Sequence, residues 1–205
     1  MILTPGVPGV AFGTVADGDG RSDSSARVSI SSELEISHDW AYVDQIHGAT
    51  VVEVTESGNH GRADGMSTSV GGLPLAIATA DCVPVALVGD ETVAMLHAGW
   101  RGVASGIVLR TLGGTGGSGY STAVIGPRIG SCCYEVGTDV IEAVGGFEAT
   151  TTHGTSSVDL GAAIVSQIDG RVAVVDVALC TKCDERFASH RRDGTKIRQV
   201  SLAWL

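Results

Sequence analysis

Short apolar runs, many of them β-branched and set off by Gly, Pro and Asp, dominate the first two-thirds of the chain. They predict strands over Gly9–Val15, Trp40–Ile46, Thr50–Thr55, Leu73–Thr79, Pro84–Val88, Thr92–Leu96, Thr122–Ile125 and Arg171–Val177, with a terminal strand over Arg198–Leu205. Helical patterning is rarer. It covers Val103–Leu112, Thr138–Val144 after a Gly, Leu160–Ile168 with Asp159 as N-cap, and a short piece at Arg186–Arg191. Strands and helices do not alternate strictly. The expected fold class is therefore α/β, α+β-like, with layered mixed β-sheets and outer helices rather than a doubly wound sheet. A chain of 205 residues is enough to bury a sizeable core, and one domain over 1–205 is expected.

Composition sharpens this picture. Glycine, at 29 residues, is about twice its usual ~7 % share, which signals tight turns in a folded chain. The formal charge of −10 argues against nucleic acid or an anionic membrane as partner, since both need excess Lys and Arg. No apolar run approaches the ~18 residues of a membrane span. The stretch MILTPGVPGVAF has no cationic segment, so no signal peptide is expected. Five cysteines, two of them adjacent, are expected as free thiols in a reducing cytoplasm.

Chemistry gathers in the stretch LHAGWRG, Leu96–Gly102, which groups His97, Trp100 and Arg101 among small residues. A strand-to-helix turn would explain it, as would a metal on His97 with an anion on Arg101. Of the six histidines (His38, His47, His60, His97, His153 and His190), His47 and His97 each close an apolar run and precede a Gly directly or after one Ala. Between them Cys82 interrupts the run ATADCVPVAL. Two imidazoles and a thiolate suit zinc with one open position. The alternatives are hydrogen-bonding histidines and a core cysteine.

Other groups compete. Cys180-Thr-Lys-Cys183 reads as packing, because a structural zinc wants a second suitable pair and Cys132-Cys133 is a poor one. Cys133, within Cys132-Cys133-Tyr134-Glu135, is a candidate nucleophile. Ser189–Gly194, SHRRDG, is either a solvated turn or an anion clamp built on Arg191 and Arg192. The literal G-x-G-x-x-G of Gly113–Gly119 sits between a helix and a strand, the reverse of the dinucleotide order, and lacks the P-loop Lys. A connecting loop is expected there.

Five blocks in order then carry a family resemblance: DQIHG at Asp44–Gly48, ADG at Ala63–Gly65, TADCVPV at Thr79–Val85, HAGWRG at His97–Gly102 and IGPRIGSCCYEVG at Ile125–Gly137. With DLGAAIVSQI, Cys180-Thr181 and SHRRDG they cover roughly residues 9 to 205. The sequence resembles the multicopper polyphenol oxidase (laccase-domain) proteins, also called peptidoglycan editing factor or laccase-domain purine nucleoside phosphorylase. The resemblance implies a zinc on His47, Cys82 and His97. It implies a fold like the catalytic domain of a bacterial cytotoxic necrotizing factor, of the cysteine-hydrolase type. It also implies phosphorolysis of adenosine, inosine, guanosine and methylthioadenosine, and hydrolytic deamination of adenosine. The substrates would be small purine nucleosides and phosphate.

Arg101, Arg191 and Arg192 are then the candidate phosphate or ribose partners, and Asp81 and Asp64 the candidate acid–base or supporting groups. The sequence departs from the family where an Arg after Phe12-Gly13-Thr14 is replaced by Val15, where T-G-R becomes Lys196-Ile197-Arg198, and where a Tyr becomes His190. Rival functions are a copper polyphenol oxidase, an amidase acting on peptidoglycan precursors, and a metal-stabilised binding protein. Six histidines without any His-x-His argue against a four-copper site, although copper would bind the same N/S ligands in vitro.

Overall fold

The computed structural model describes residues 1–113 and 119–205. The expected loop at Gly113–Gly119 falls largely on residues 114–118, outside the described residues. In chain order the first half contains β1 (Ile2–Leu3), β2 (Val10–Phe12), α1 (Ser24–Leu34), β3 (Ala41–Asp44), β4 (Val51–Glu53), β5 (Gly58–Arg62), β6 (Gly65–Thr68), β7 (Leu75–Thr79), β8 (Val83–Gly89) and β9 (Val93–Ala98). The second half contains α2 (Trp100–Ala104), α3 (Ile107–Leu112), β10 (Tyr120–Ile125), α4 (Thr138–Ala143), β11 (Glu148–Thr150), β12 (Ser156–Val158), α5 (Leu160–Ile168), β13 (Ala173–Asp176), α6 (His190–Asp193) and β14 (Gln199–Ala203).

Two six-stranded mixed sheets stack in the centre, ordered β1-β2-β14-β7-β3-β5 and β13-β10-β8-β9-β6-β4, beside a β11-β12 hairpin. Phe12, Leu75 and Ile77 of the first sheet face Ala86, Met95 and Val124 of the second in a shared core. On the far side of the second sheet, Val85, Leu96 and Ile125 pack under α2, α3 and α5 through Val103, Ile107 and Ile164. On the far side of the first, Ala76, Val200 and Leu202 pack with Trp40 and with Ile30 of α1. Strands β7, β8 and β9 are thus covered on both faces, which explains why their sequence is continuously apolar instead of alternating. The expected layered mixed sheets with outer helices are present.

Several elements differ from expectation for local reasons. Helix α1 is rich in serine and buries only Ile30 and Ser31, so it has almost no apolar stripe. It is started by Asp23, whose carboxylate accepts from the Ser25 and Ala26 amides. The helix expected over Val103–Leu112 is two, because Gly106 sits at φ +71° between α2 and α3. The short helix expected at Arg186–Arg191 lies at His190–Asp193 instead, where the Ser189 side chain accepts from the Arg192 amide. Helix α5 lies over Leu160–Ile168 as expected. Asp159 caps it through the Ala162 amide, and Leu160, Ala163, Ile164 and Ile168 form its buried stripe. Truncating Ile164, fully buried here, would cost ~2–5 kcal/mol.

Candidate metal centre and its clefts

The pairing of β8 with β9 creates the centre. Their antiparallel register sets Val83 opposite Ala98 and Pro84 opposite His97. Cys82, just before β8, therefore meets His97 near the end of β9. His47 arrives from the other sheet, beyond the end of β3, in the left-handed region at φ +59°. That conformation is costly for a residue with a side chain, and a buried carboxylate holds it. Asp64 Oδ1 accepts from the Ile46 and His47 amides at 3.1 and 2.8 Å, and Oδ2 accepts from Gly48 N–H at 2.6 Å. Oδ1 also lies 2.8 Å from His97 Nδ1. One fully buried side chain thus fixes the His97 ring and the backbone that carries His47. With Nδ1 engaged, Nε2 of His97 is the ring atom left for a ligand. The His47 and His97 rings meet edge-on at 4.8 Å, and the donor atoms of His47, Cys82 and His97 all lie within 4.8 Å of one another.

The charges follow from this packing. Burial pushes the Cys82 thiol up, but bonding to His47 and His97 outweighs it and brings the thiol down to about 6. Burial pushes His97 down, but Asp64 and then Cys82 raise it to about 9. Asp64 is raised by burial and lowered more by the His97 bond and the Gly48 amide, so it ends below the usual carboxylate range. In the absence of metal these shifts favour a thiolate on Cys82 beside an imidazolium on His97, backed by the Asp64 carboxylate.

The small residues of HAGWRG have a steric reason. A Cβ on Gly99 would lie 3.3 Å from both Cys82 Sγ and His47 Cδ2, and one on Gly102 would lie 2.8 Å from the Gly48 carbonyl oxygen. Any bulk at these positions would push α2 off the ligand cluster.

His47 and Cys82 line two clefts. One, about 360 Å³, is walled by Trp100, Arg101, Tyr134, His190 and Arg191. The other, about 430 Å³, is more polar and includes Arg21, Asp44, Gln45 and His97. Arg198 borders both. The Arg101 guanidinium stacks over the Trp100 ring at 4.3 Å, and that of Arg191 over the Tyr134 ring at 5.0 Å. Among the described residues, Arg101, Arg191 and Arg198 make no ion pair with a carboxylate.

The remaining candidates are placed differently from expectation. Arg192 does not enter either cleft: its guanidinium bonds the carbonyls of Thr181, Lys182, Asp184 and Phe187 and the Asp193 carboxylate. It stitches a loop and has little left for an anion. Cys133 lies outside the clefts too, its sulfur 3.3 Å from that of Cys183, in a cluster separate from that of His47, Cys82 and His97. Asp81 borders the first cleft, but both its oxygens are engaged, one by the Thr181 hydroxyl at 2.7 Å and one by the Arg191 amide at 2.8 Å. It docks the α6 loop beside Cys82, and each oxygen keeps a second lone pair at the edge of the cleft. Asp64 touches the histidines and not the clefts.

Trp100, Tyr134, Gln45, Arg21 and Arg198 were not assigned roles from sequence. Trp100, Tyr134, Gln45 and Arg198 lie within quoted motifs. Arg21 had no local signal: it lies six residues beyond Val15 and reaches the second cleft, with Nη1 2.7 Å from Gln45 Oε1.

Residues 12–205 match the family described as multi-copper polyphenol oxidoreductase laccase. A Pseudomonas aeruginosa protein named purine nucleoside phosphorylase is 36 % identical over 209 residues, covering 95 % of this chain and 85 % of that one. A Corynebacterium glutamicum protein of the same name is 35 % identical over 180 residues, covering 80 % and 73 %. Among solved structures, YlmD from Geobacillus stearothermophilus superposes with TM-score 0.84 at 27 % identity, over 98 % of this chain and 93 % of that one. The Bacillus licheniformis hypothetical protein YfiH gives 0.77 at 29 % identity, over 88 % and 80 %.

Proposed function

The chain belongs to the multi-copper polyphenol oxidoreductase laccase family, and on that premise we propose that it is a zinc-dependent purine nucleoside enzyme, one domain over residues 1–205. It would cleave adenosine, inosine, guanosine and methylthioadenosine by phosphorolysis and deaminate adenosine by hydrolysis. The name borne by its relatives supports the substrate class. The observation that carries the reading is the junction of two features: a soft donor trio and a cleft walled by aromatic-backed guanidiniums.

The donor set fits the metal. Two imidazoles and one thiolate of low pKa suit zinc, and His97 is oriented by a carboxylate as zinc-bound histidines are. Zinc held there supplies a Lewis acid that acidifies water from ~15.7 toward ~7. The chain's own residues do the rest. Trp100 and Tyr134 each back a guanidinium, Arg101 and Arg191, that can hold phosphate or a ribose hydroxyl beside the metal, while Ile129 and Leu160 add apolar wall for a purine ring. In a chain of net charge −10 these cations concentrate anions where the bulk surface repels them. The fold label of the cytotoxic necrotizing factor type and a cytoplasmic location belong to the same proposal. Among the described residues no helix is long and apolar enough to cross a membrane.

The test compares zinc-loaded and copper-loaded protein on adenosine plus phosphate and on a phenolic dye. Free base and ribose 1-phosphate should form with zinc, and phenol oxidation should need added copper and stay slow. Fast phenol oxidation with no nucleoside turnover overturns the reading.

A further inference from the structure

We propose that Cys132, Cys133, Cys180 and Cys183 form a second metal site, a structural zinc held by four thiolates. The inference does not depend on nucleoside chemistry. The four sulfurs all lie within 4.8 Å of one another. Cys132 Sγ is 3.7 Å from Cys133 Sγ and 3.8 Å from Cys183 Sγ, and Cys133 Sγ is 3.3 Å from Cys183 Sγ. A tetrahedral zinc with Zn–S bonds of ~2.3 Å requires sulfur–sulfur edges of ~3.8 Å. The cluster is therefore already close to the size of that tetrahedron.

The backbone around the cluster points the same way. Cys180 Sγ accepts an N–H from Gly130 at 3.2 Å. The C-x-x-C turn closes with the Asp184 amide on the Cys180 carbonyl at 3.0 Å. A neutral thiol is a weak acceptor, so the Gly130 amide on the sulfur matches a thiolate and offsets part of the negative charge that four such ligands bring. Gly130 also makes room. A Cβ there would lie 3.2 Å from Cys132 Sγ and 3.5 Å from Cys180 Sγ. The adjacent Cys132-Cys133 pair looked unsuited to metal in sequence, but the turn after Gly130 brings both sulfurs to the C-x-x-C loop.

The site would clamp two loops that build the first cleft. Tyr134 follows Cys133 directly, and its ring underlies Arg191. The loop after Cys180 carries Thr181, which bonds Asp81, and leads to Arg191, whose Nη1 donates to the Glu135 carbonyl at 2.7 Å. A zinc at the cysteines would cross-link these loops without touching substrate.

Zinc per chain and zinc-edge X-ray absorption test this on three proteins: wild type, His47→Ala/His97→Ala, and Cys180→Ser/Cys183→Ser. Wild type reloaded with zinc should hold two ions. The His variant should retain one, with a shell of sulfur alone at ~2.3 Å and no nitrogen at ~2.0–2.1 Å. The Cys variant should lose that ion and keep the other. A zinc-free His variant, a nitrogen-containing shell in it, or unchanged zinc content in the Cys variant overturns the proposal. If the Cys variant does not fold, the His variant decides alone. A His variant with one all-sulfur zinc and a wild type without nucleoside turnover would sink the enzyme reading and leave this one standing.

Discussion

Replacing Asp64 should disturb metal affinity and stability together, because one carboxylate organises both histidines. In Asp64→Asn a single acceptor oxygen remains. Set at the Oδ1 position, it still serves Ile46, His47 and His97, and the new NH2 then faces the Gly48 N–H that sits 2.6 Å from Oδ2. One charge-assisted bond, worth ~1.5–3 kcal/mol, becomes a donor–donor clash, so a loss of ~2–4 kcal/mol is expected. Against a typical total of ~5–15 kcal/mol this is large but survivable. Asp64→Ala orphans three amides and an imidazole at ~1–3 kcal/mol each and should leave little folded protein.

The Asn variant should also bind zinc ~10–100-fold more weakly, since His97 loses its anionic partner. Urea unfolding in chelator gives the first number, and competition with a chromophoric chelator gives the second. The sign with pH follows from the depressed carboxylate. Its contribution is fully present above its unfolded value of ~3.9 and is lost as pH falls through the lower folded value, so the gap between wild type and variant should close in acid. An Asp64→Asn protein with wild-type urea midpoint and zinc affinity would refute the reasoning.

The other predictions separate roles within the site. Arg101→Ala should leave the unfolding midpoint nearly unchanged and lower kcat/KM for phosphorolysis about tenfold or more, a loss of ~1.5–3 kcal/mol; unchanged kinetics would remove Arg101 from the chemistry. Arg192→Ala should do the reverse, costing ~1–3 kcal/mol of stability through its carbonyl partners while KM for phosphate holds; a raised phosphate KM with unchanged stability would contradict its placement. Gly102→Ala should weaken zinc binding, because its Cβ would press on the Gly48 carbonyl at 2.8 Å; equal affinity would mean that α2 can retreat freely. In metal-free protein, alkylation of Cys82 should rise through about pH 6 and then level, and zinc should protect it; a rate climbing only near pH ~8.5 would show an ordinary thiol.

The sequence by itself determined the apolar strands at the centre of both sheets, since a strand covered on two faces must be continuously hydrophobic, and β7, β8 and β9 read that way. It determined α5, where an Asp cap precedes a clear apolar stripe. It also singled out His47 and His97, at strand ends beside glycine, and Cys82, which interrupts an apolar run, because these are local signals. Elements stabilised by long-range contacts escaped it. Helix α1 is held by its Asp23 cap and by Ile30 packing on the first sheet, and the β11–β12 hairpin has only three residues in each strand. Only the tertiary structure decided what pairs with what. The β8–β9 register joins Cys82 to His97, and Asp64 recruits the His47 loop from the other sheet. Arg192 is turned away from the cleft toward backbone carbonyls, Arg21 is brought in, and four cysteines from two distant loops meet. These choices depend on where carbonyls, amides and sulfurs come to lie once the sheets stack, and residue type and spacing do not encode those positions locally.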